Sequence, residues 1–225
     1  MATFVGEDKW PTCTHIKRLL LLTEMDYDYS KINEFEKTQL PIGFQGNVYN
    51  LSYKWNSIIP YQDAPRKIME IGAYHGANAC SYMKTYAQHP QSEVHCVDPW
   101  LDYAGYDEYQ TKQPTNYSTF VTNLSKLNPL DLHKVYVHRG LSEVIVPTFP
   151  DESFDIIYID GNHEKKYVVE DAIMSHKKIK HGGWIIFDDM HDKEVNEGVQ
   201  IFLSVYGDSY VEFKIQNSQL FIKRT

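Results

Sequence analysis

Lys67-Ile68-Met69-Glu70-Ile71-Gly72-Ala73-Tyr74-His75-Gly76 is the stretch whose reading decides the fold. Five residues of strand character run into Gly72, which stands where a strand must turn sharply into a helix and let a ligand approach the backbone. A second strand, Val94-His95-Cys96-Val97-Asp98, closes on an acidic residue at its carboxyl end, where ribose hydroxyls are commonly read. Together the two segments predict a nucleotide-type ligand above a parallel sheet. A dinucleotide turn needs a middle glycine for the pyrophosphate, and here Ala73 and Tyr74 follow Gly72. A ligand with a ribose and no diphosphate fits better.

Outward from that stretch, strands and amphipathic helices alternate. Strands are predicted at 67–71, 93–97, 134–138, 154–160 and 184–187, and helices near 77–88, 117–127, 165–179 and 195–206. The segment 210–215, a short turn at Asn217-Ser218 and the segment 219–223 predict a terminal antiparallel hairpin, because so tight a join cannot connect parallel strands. The expected architecture is therefore a Rossmann-like α/β fold. Its sheet is mostly parallel and seven-stranded, with an antiparallel C-terminal hairpin and helices on both faces. Residues 1–64, broken by Pro41, Gly43, Gly46 and Pro60, are expected to be an extension or substrate-side cap with one helix around His15 to Thr23; residues 65–225 form the main domain.

With 225 residues and 42% hydrophobic content, the chain suits one well-buried α/β core. A formal charge of −8 argues against a broad nucleic-acid footprint, which needs clustered Lys and Arg. Cys13, Cys80 and Cys96 lack metal-site spacing and read as reduced thiols of a cytoplasmic protein. The first residues lack the pattern of a secretory signal, and the Leu19 to Leu22 cluster is too short to span a bilayer, so neither export nor a membrane anchor is expected.

The strand ends carry the candidate chemistry. They read Glu70-Ile71-Gly72, Asp98-Pro99-Trp100, His138-Arg139-Gly140-Leu141-Ser142, Asp160-Gly161-Asn162-His163 and Asp188-Asp189-Met190-His191. In an open parallel sheet these ends share one rim. Asp98 can accept from two ribose hydroxyls. Carboxylates gathered from adjacent strand ends would repel one another unless a cation sat between them, and an oxygen-rich donor set suits Mg²⁺ or Mn²⁺.

Glu70, Gly72 and Gly76, with Asp98, resemble the first two motifs of class I S-adenosylmethionine-dependent methyltransferases, whose acidic-x-Gly-x-x-x-Gly loop wraps the methionine end of the cofactor. The run Tyr158 to His163 together with Phe187-Asp188-Asp189 is similar to the cation-dependent O-methyltransferases, catechol and sugar types included. The resemblance covers about Pro65 to Thr225, including a Gly182-Gly183 pair that joins a helix to a strand. It implies that Glu70, Gly72, Ala73, Gly76, Asp98, Trp100, Leu141, Ser142 and Asp160 contact the cofactor, with Trp100 and Leu141 flanking adenine and Ser142 at its edge. It implies metal ligands at Asp160, Asp188 and Asp189. It also implies a base on the loop of His163, with His191 as the second candidate, and an acceptor that is a hydroxyl of a sugar, glycan or small polar molecule. Asn162 stands where some relatives carry another acidic residue. His75 is expected to pack or hydrogen-bond within the glycine loop. The run Tyr103, Tyr106 and Tyr109, with Asp102, Asp107 and Glu108, is expected to be a lid or substrate wall. A nicotinamide-dependent oxidoreductase on a related sheet and a non-catalytic cofactor-binding subunit are the competing readings; the missing middle glycine and the terminal hairpin count against the first.

Overall fold

A computed structural model describes residues 34–102 and 112–225. The expected helix near His15 to Thr23, Cys13 and the tyrosines at 103, 106 and 109 lie outside the described residues. The strands are β1 (Lys67–Ile71), β2 (Glu93–Asp98), β3 (Val135–Arg139), β4 (Phe154–Ile159), β5 (Ile179–Phe187), β6 (Tyr210–Gln216) and β7 (Gln219–Arg224). They form one sheet in the order β3-β2-β1-β4-β5-β7-β6. The first five are mutually parallel, and β7 runs antiparallel to both β5 and β6. The architecture expected from the alternating pattern is thus the one observed.

The helices are α1 (Glu34–Thr38), α2 (Ala77–Tyr82), α3 (Gln113–Leu124), α4 (Pro129–Leu132), α5 (Ser142–Ile145), α6 (Lys165–Lys178) and α7 (Lys193–Tyr206). The start of α7 shows how sequence sets a boundary. The Asp192 side chain accepts from the N–H groups of Glu194 and Val195, satisfying donors that the first turn leaves open. Alternation along β1 then divides the core. Ile68 and Glu70 face α2, α3 and a 3₁₀ turn at Ser52–Ser57, whereas Met69 and Ile71 face α6 and α7.

Residues 40–59 are built into the first of these layers. Leu51, Trp55 and Ile59 are buried with Ile68, Tyr158 and Phe221, and Trp55 Nε1 donates to Gln219 Oε1 at 2.9 Å. Trp55 packs on Tyr82, Tyr86 and Tyr158. Truncating so enclosed an aromatic costs about 3–5 kcal/mol in typical cores.

Gly182 and Gly183 do not form the join between helix and strand. Strand β5 begins at Ile179, directly after α6, and the glycine pair lies within it. Phe154 pairs with Ile179 and Ile156 with Trp184, so the β5 chain makes an excursion between those two points. Gly182, at φ +75°, supplies the left-handed residue in that excursion. No helix among the described residues is long and apolar enough to cross a membrane.

Candidate functional site

The parallel strands all end on one side of the sheet, and a cavity of about 620 Å³ opens there, within the range typical of small-molecule sites. Gly72 (φ +90°) makes the first wall possible. A Cβ at that position would lie 1.8 Å from the Asp160 carbonyl oxygen, so the loops after β1 and β4 touch at a point only glycine tolerates. The Asp160 N–H donates to Ile71 O and the Gly72 N–H to Val97 O, each at 2.9 Å, tying three strand ends together.

Asp98 is oriented by the same turn. Its Oδ2 accepts from Tyr74 N at 2.9 Å and its Oδ1 from Trp100 N at 2.7 Å. Burial pushes the carboxyl up to about 6 against the opposing effect of these amides. A carboxylate has about four lone-pair sites, so acceptor capacity remains toward the cavity it lines. That is the arrangement a pair of ribose hydroxyls needs. Leu141, Ser142 and Asp160 line the same cavity.

Trp100 stands elsewhere. Its ring is buried against Tyr117 and Phe120, its Nε1 donates to Tyr74 O at 2.9 Å, and it is not part of the cavity wall. Its observed contacts support the Tyr74 loop. Glu70, Ala73 and Gly76 also lie behind the lining. Glu70 is buried, its Oε2 has no hydrogen-bond partner, and burial with the charges of Asp160 and Asp98 raises its carboxyl well above the usual range. Such a carboxyl is held neutral more cheaply than charged.

The acidic strand ends separate into two groups. Asp160, His163 and Asp189 converge, with one ligand atom from each within 4.8 Å of the others. His163 Nε2 lies 3.7 Å from Asp160 Oδ1 and 3.3 Å from Asp189 Oδ2. Asp188, expected in this group, lines the same cavity, but both of its carboxylate oxygens are engaged by protein donors. Its Oδ1 accepts from Asn50 Nδ2 at 2.8 Å and from Asp189 N at 2.9 Å, and its Oδ2 accepts a short hydrogen bond from the Tyr158 hydroxyl. Asp189 itself adopts a left-handed backbone, φ +50°. The Tyr158 hydroxyl also lies 3.3 Å from Asp160 Oδ2, so it bridges the two groups.

Electrostatics follow from this crowding. Burial pushes Asp160 up to about 6; its ion pair with His163 works downward and the Asp189 charge upward. Burial, then Asp160 and Asp189, raise Asp188. For His163, burial works downward but is outweighed by the paired Asp160 carboxylate and by the charges of Asp189 and Asp192, which lift the imidazole to about 9. His163 is therefore a cation between carboxylates at neutral pH. The carboxylates of Asp160 and Asp189, with open positions for water, are oxygen donors of the kind that suits a hard divalent ion, and His163 lies beside them. His191 lines the cavity, and its Nδ1 sits 2.8 Å from Ser218 Oγ.

Several wall residues carry no motif. Asn47, Tyr49 and Gln113 close one side, and no spacing in the sequence marks them. Asp171 was findable: Val168, Asp171, Ala172 and Ser175 all fall on the buried stripe of α6, and a carboxylate there is anomalous. It is 3% exposed and lines the cavity next to Ser142.

A viral protein, uncharacterized protein R132 of Acanthamoeba polyphaga mimivirus, is 27% identical over 124 residues, covering 55% of this chain and 51% of that protein; the chain thus spans about half the length of the curated relative it matches. A crystal structure from Klebsiella pneumoniae, to which O-methyltransferase activity has been attributed, aligns over 99% of this chain and 92% of its own, with a TM-score of 0.56 at 13% identity. MycE methyltransferase of the mycinamycin biosynthetic pathway, in complex with Mg and SAH, aligns over 77% of this chain and 49% of its own, with a TM-score of 0.50 at 13% identity. These structural likenesses show a shared fold. The model of the methyltransferase domain matches residues 69–190, more than half of the chain, which therefore belongs to that S-adenosylmethionine-dependent family.

Proposed function

We propose that this cavity transfers a methyl group from S-adenosylmethionine to a hydroxyl of a sugar, glycan or other small polar molecule, with Mg²⁺ or Mn²⁺ bound and His163 as the base. The observation that carries the reading is that Asp160, His163 and Asp189 converge in the same cavity that Asp98 and Gly72 line. That MycE binds Mg and SAH on a similar fold supports it.

S-adenosylmethionine supplies the methyl group as an electrophilic sulfonium. Asp98 would accept from its ribose hydroxyls, Gly72 would leave room for its approach to the backbone, and Leu141 and Ser142 would border its base. Asp160 and Asp189 would hold the divalent ion, which lowers the pKa of an acceptor hydroxyl and takes over the carboxylate charge that keeps His163 cationic. His163, once neutral, can take the hydroxyl proton through Nε2. Asp188 orients Asp189 through its backbone amide and holds Asn50 of the N-terminal segment in place. His191 remains the alternative base.

Nucleic acid is a poor acceptor for this site, because the formal charge is −8 and the cavity itself is rich in carboxylates. Cys80 and Cys96, buried and not paired with each other among the described residues, are in keeping with a cytoplasmic protein. The test is a panel of hydroxylated acceptors incubated with S-adenosylmethionine, following S-adenosylhomocysteine release with chelator and with added Mg²⁺. Turnover abolished by chelator and restored by Mg²⁺ is expected; chelator-resistant turnover overturns the metal assignment, and failure to bind S-adenosylhomocysteine overturns the whole reading.

A further inference from the structure

His75 sits in the glycine loop, one residue after Tyr74, yet both of its ring nitrogens point away from the ligand side. Nδ1 lies 3.1 Å from the backbone nitrogen of Asn47, and Nε2 lies 3.1 Å from Asn116 Oδ1. The Asn47 N–H can only donate, so Nδ1 must be the bare, accepting nitrogen. Nε2 then carries the proton and donates to Asn116. Asn116 passes the connection on, its Nδ2 donating to Gln113 Oε1 at 3.3 Å. Asn47 and Gln113 are both cavity walls, one from the N-terminal segment and one from α3.

The backbone reinforces the junction. Asn123 Nδ2, also on α3, donates to His75 O at 2.9 Å and to Gln45 O at 2.7 Å, while Asn123 Oδ1 accepts from Gln45 N at 2.9 Å. Gly46 (φ +99°) passes so close that a Cβ there would lie 2.3 Å from His75 Nδ1. Three chain segments therefore meet on one side chain with no spare room, and that side chain belongs to the loop whose other flank, through the Tyr74 N–H, is fixed to Asp98.

We infer that His75 is a positioning residue: a single neutral imidazole, of fixed tautomer, joins the cofactor loop to both acceptor-side walls, so that occupancy of the loop is transmitted to Asn47 and Gln113. The functional meaning rests on reading the cavity as the methyl-transfer site; the hydrogen bonds themselves do not. Burial keeps the imidazole below the usual histidine range, the Asn116 hydrogen bond opposing, in keeping with a ring that must stay neutral.

Two substitutions separate the two nitrogens, because asparagine can place an acceptor near the Nδ1 position and glutamine a donor near the Nε2 position. Amide hydrogen exchange is measured on the full chain, with and without S-adenosylhomocysteine. In H75N the Asn47 amide is expected to keep its protection while the amides of residues 113–117 exchange roughly tenfold faster; H75Q is expected to show the reverse. In the wild type S-adenosylhomocysteine slows exchange on both walls, and each variant loses the response of the wall it has released. If S-adenosylhomocysteine binds but slows neither wall, or if both variants disturb both walls equally, His75 is only a packing residue and the inference falls. If S-adenosylhomocysteine does not bind the wild type, the methyl-transfer reading falls, and the exchange pattern without ligand still tests the junction. Nitrogen-15 spectra of the wild-type imidazole give a check independent of variant folding: a bare Nδ1 and protonated Nε2 at pH 7 are expected, and either the other tautomer or a doubly protonated ring overturns the assignment.

Discussion

His163 Nε2 lies nearer to Asp189 Oδ2, at 3.3 Å, than to Asp160 Oδ1, at 3.7 Å, although Asp160 is three residues away on the same loop and Asp189 belongs to another strand end. The pairing exists because Asp189 takes a left-handed backbone conformation that aims it across the gap between β4 and β5. Calorimetric titration with Mn²⁺ is therefore expected to show one site in the wild type. Asp160→Asn and Asp189→Asn should each weaken it more than about tenfold, since charged donors are worth roughly 1.5–3 kcal/mol. His163→Ala should retain Mn²⁺ binding but lower turnover by about a hundredfold, the scale of a positioned base. A His163→Ala protein that turns over normally moves the base to His191.

Asp98 is held by two backbone amides on its loop side and faces the cavity. Asp98→Ala should lower S-adenosylhomocysteine affinity by about ten- to a hundredfold, matching one or two charge-assisted hydrogen bonds. Unchanged affinity by calorimetry would remove the ribose assignment.

Asp171 yields a pH signature. Burial pushes its carboxyl from 3.8 up to about 7, with Ser142 opposing and Glu143 and Glu170 adding to the rise. Because the folded value lies above the unfolded one, its stabilising contribution is full below about pH 4 and lost as pH rises through 7. Asp171→Asn should therefore gain stability relative to the wild type as pH is raised across that window, by on the order of 4 kcal/mol. Denaturant melts at several pH values measure the difference. A pH-independent gap between the two proteins would show that Asp171 ionises normally.

Two glycines with positive φ should respond differently to alanine. At Gly72 the new methyl meets the Asp160 backbone, which cannot swing aside, whereas at Gly182 (φ +75°) nothing lies within 4 Å. Gly182→Ala should cost about 1–2 kcal/mol, the penalty of a left-handed L-residue. Gly72→Ala should cost about 3 kcal/mol or more, or prevent folding, because steric overlap is added to strain. Equal urea midpoints for the two variants would contradict the close approach of the β1 and β4 loops.

The number and direction of the strands were legible because they rest on patterns that physics enforces over many residues. Runs such as Phe154 to Ile159 are apolar on both faces, which only a covered parallel sheet requires, and the tight turn before Gln219 permits only an antiparallel return. The identity of the site rim was legible for the same reason. What escaped depends on single backbone angles. Asp188 and Asp189 look equivalent in sequence, and only the structure shows that the Asp188 oxygens are taken by Asn50 and Tyr158 while Asp189 faces His163. Trp100 follows Asp98 closely enough to pass for a ligand contact, but its own left-handed backbone (φ +43°) and its buried ring give it a packing role. Asn47 and Tyr49 belong to a stretch without periodicity, and their place in the wall comes from contacts far along the chain.

The burial of Trp55 beneath Tyr158 and Phe221 has a consequence for how this architecture can diversify. Residues 40–59 supply both a face of the binding chamber and part of the sheet's foundation, so changing one perturbs the other. Exchanging that segment for a relative's would demand co-transfer of the aromatic partners on β4 and β7, because piecemeal replacement would uncover the core that Trp55 closes.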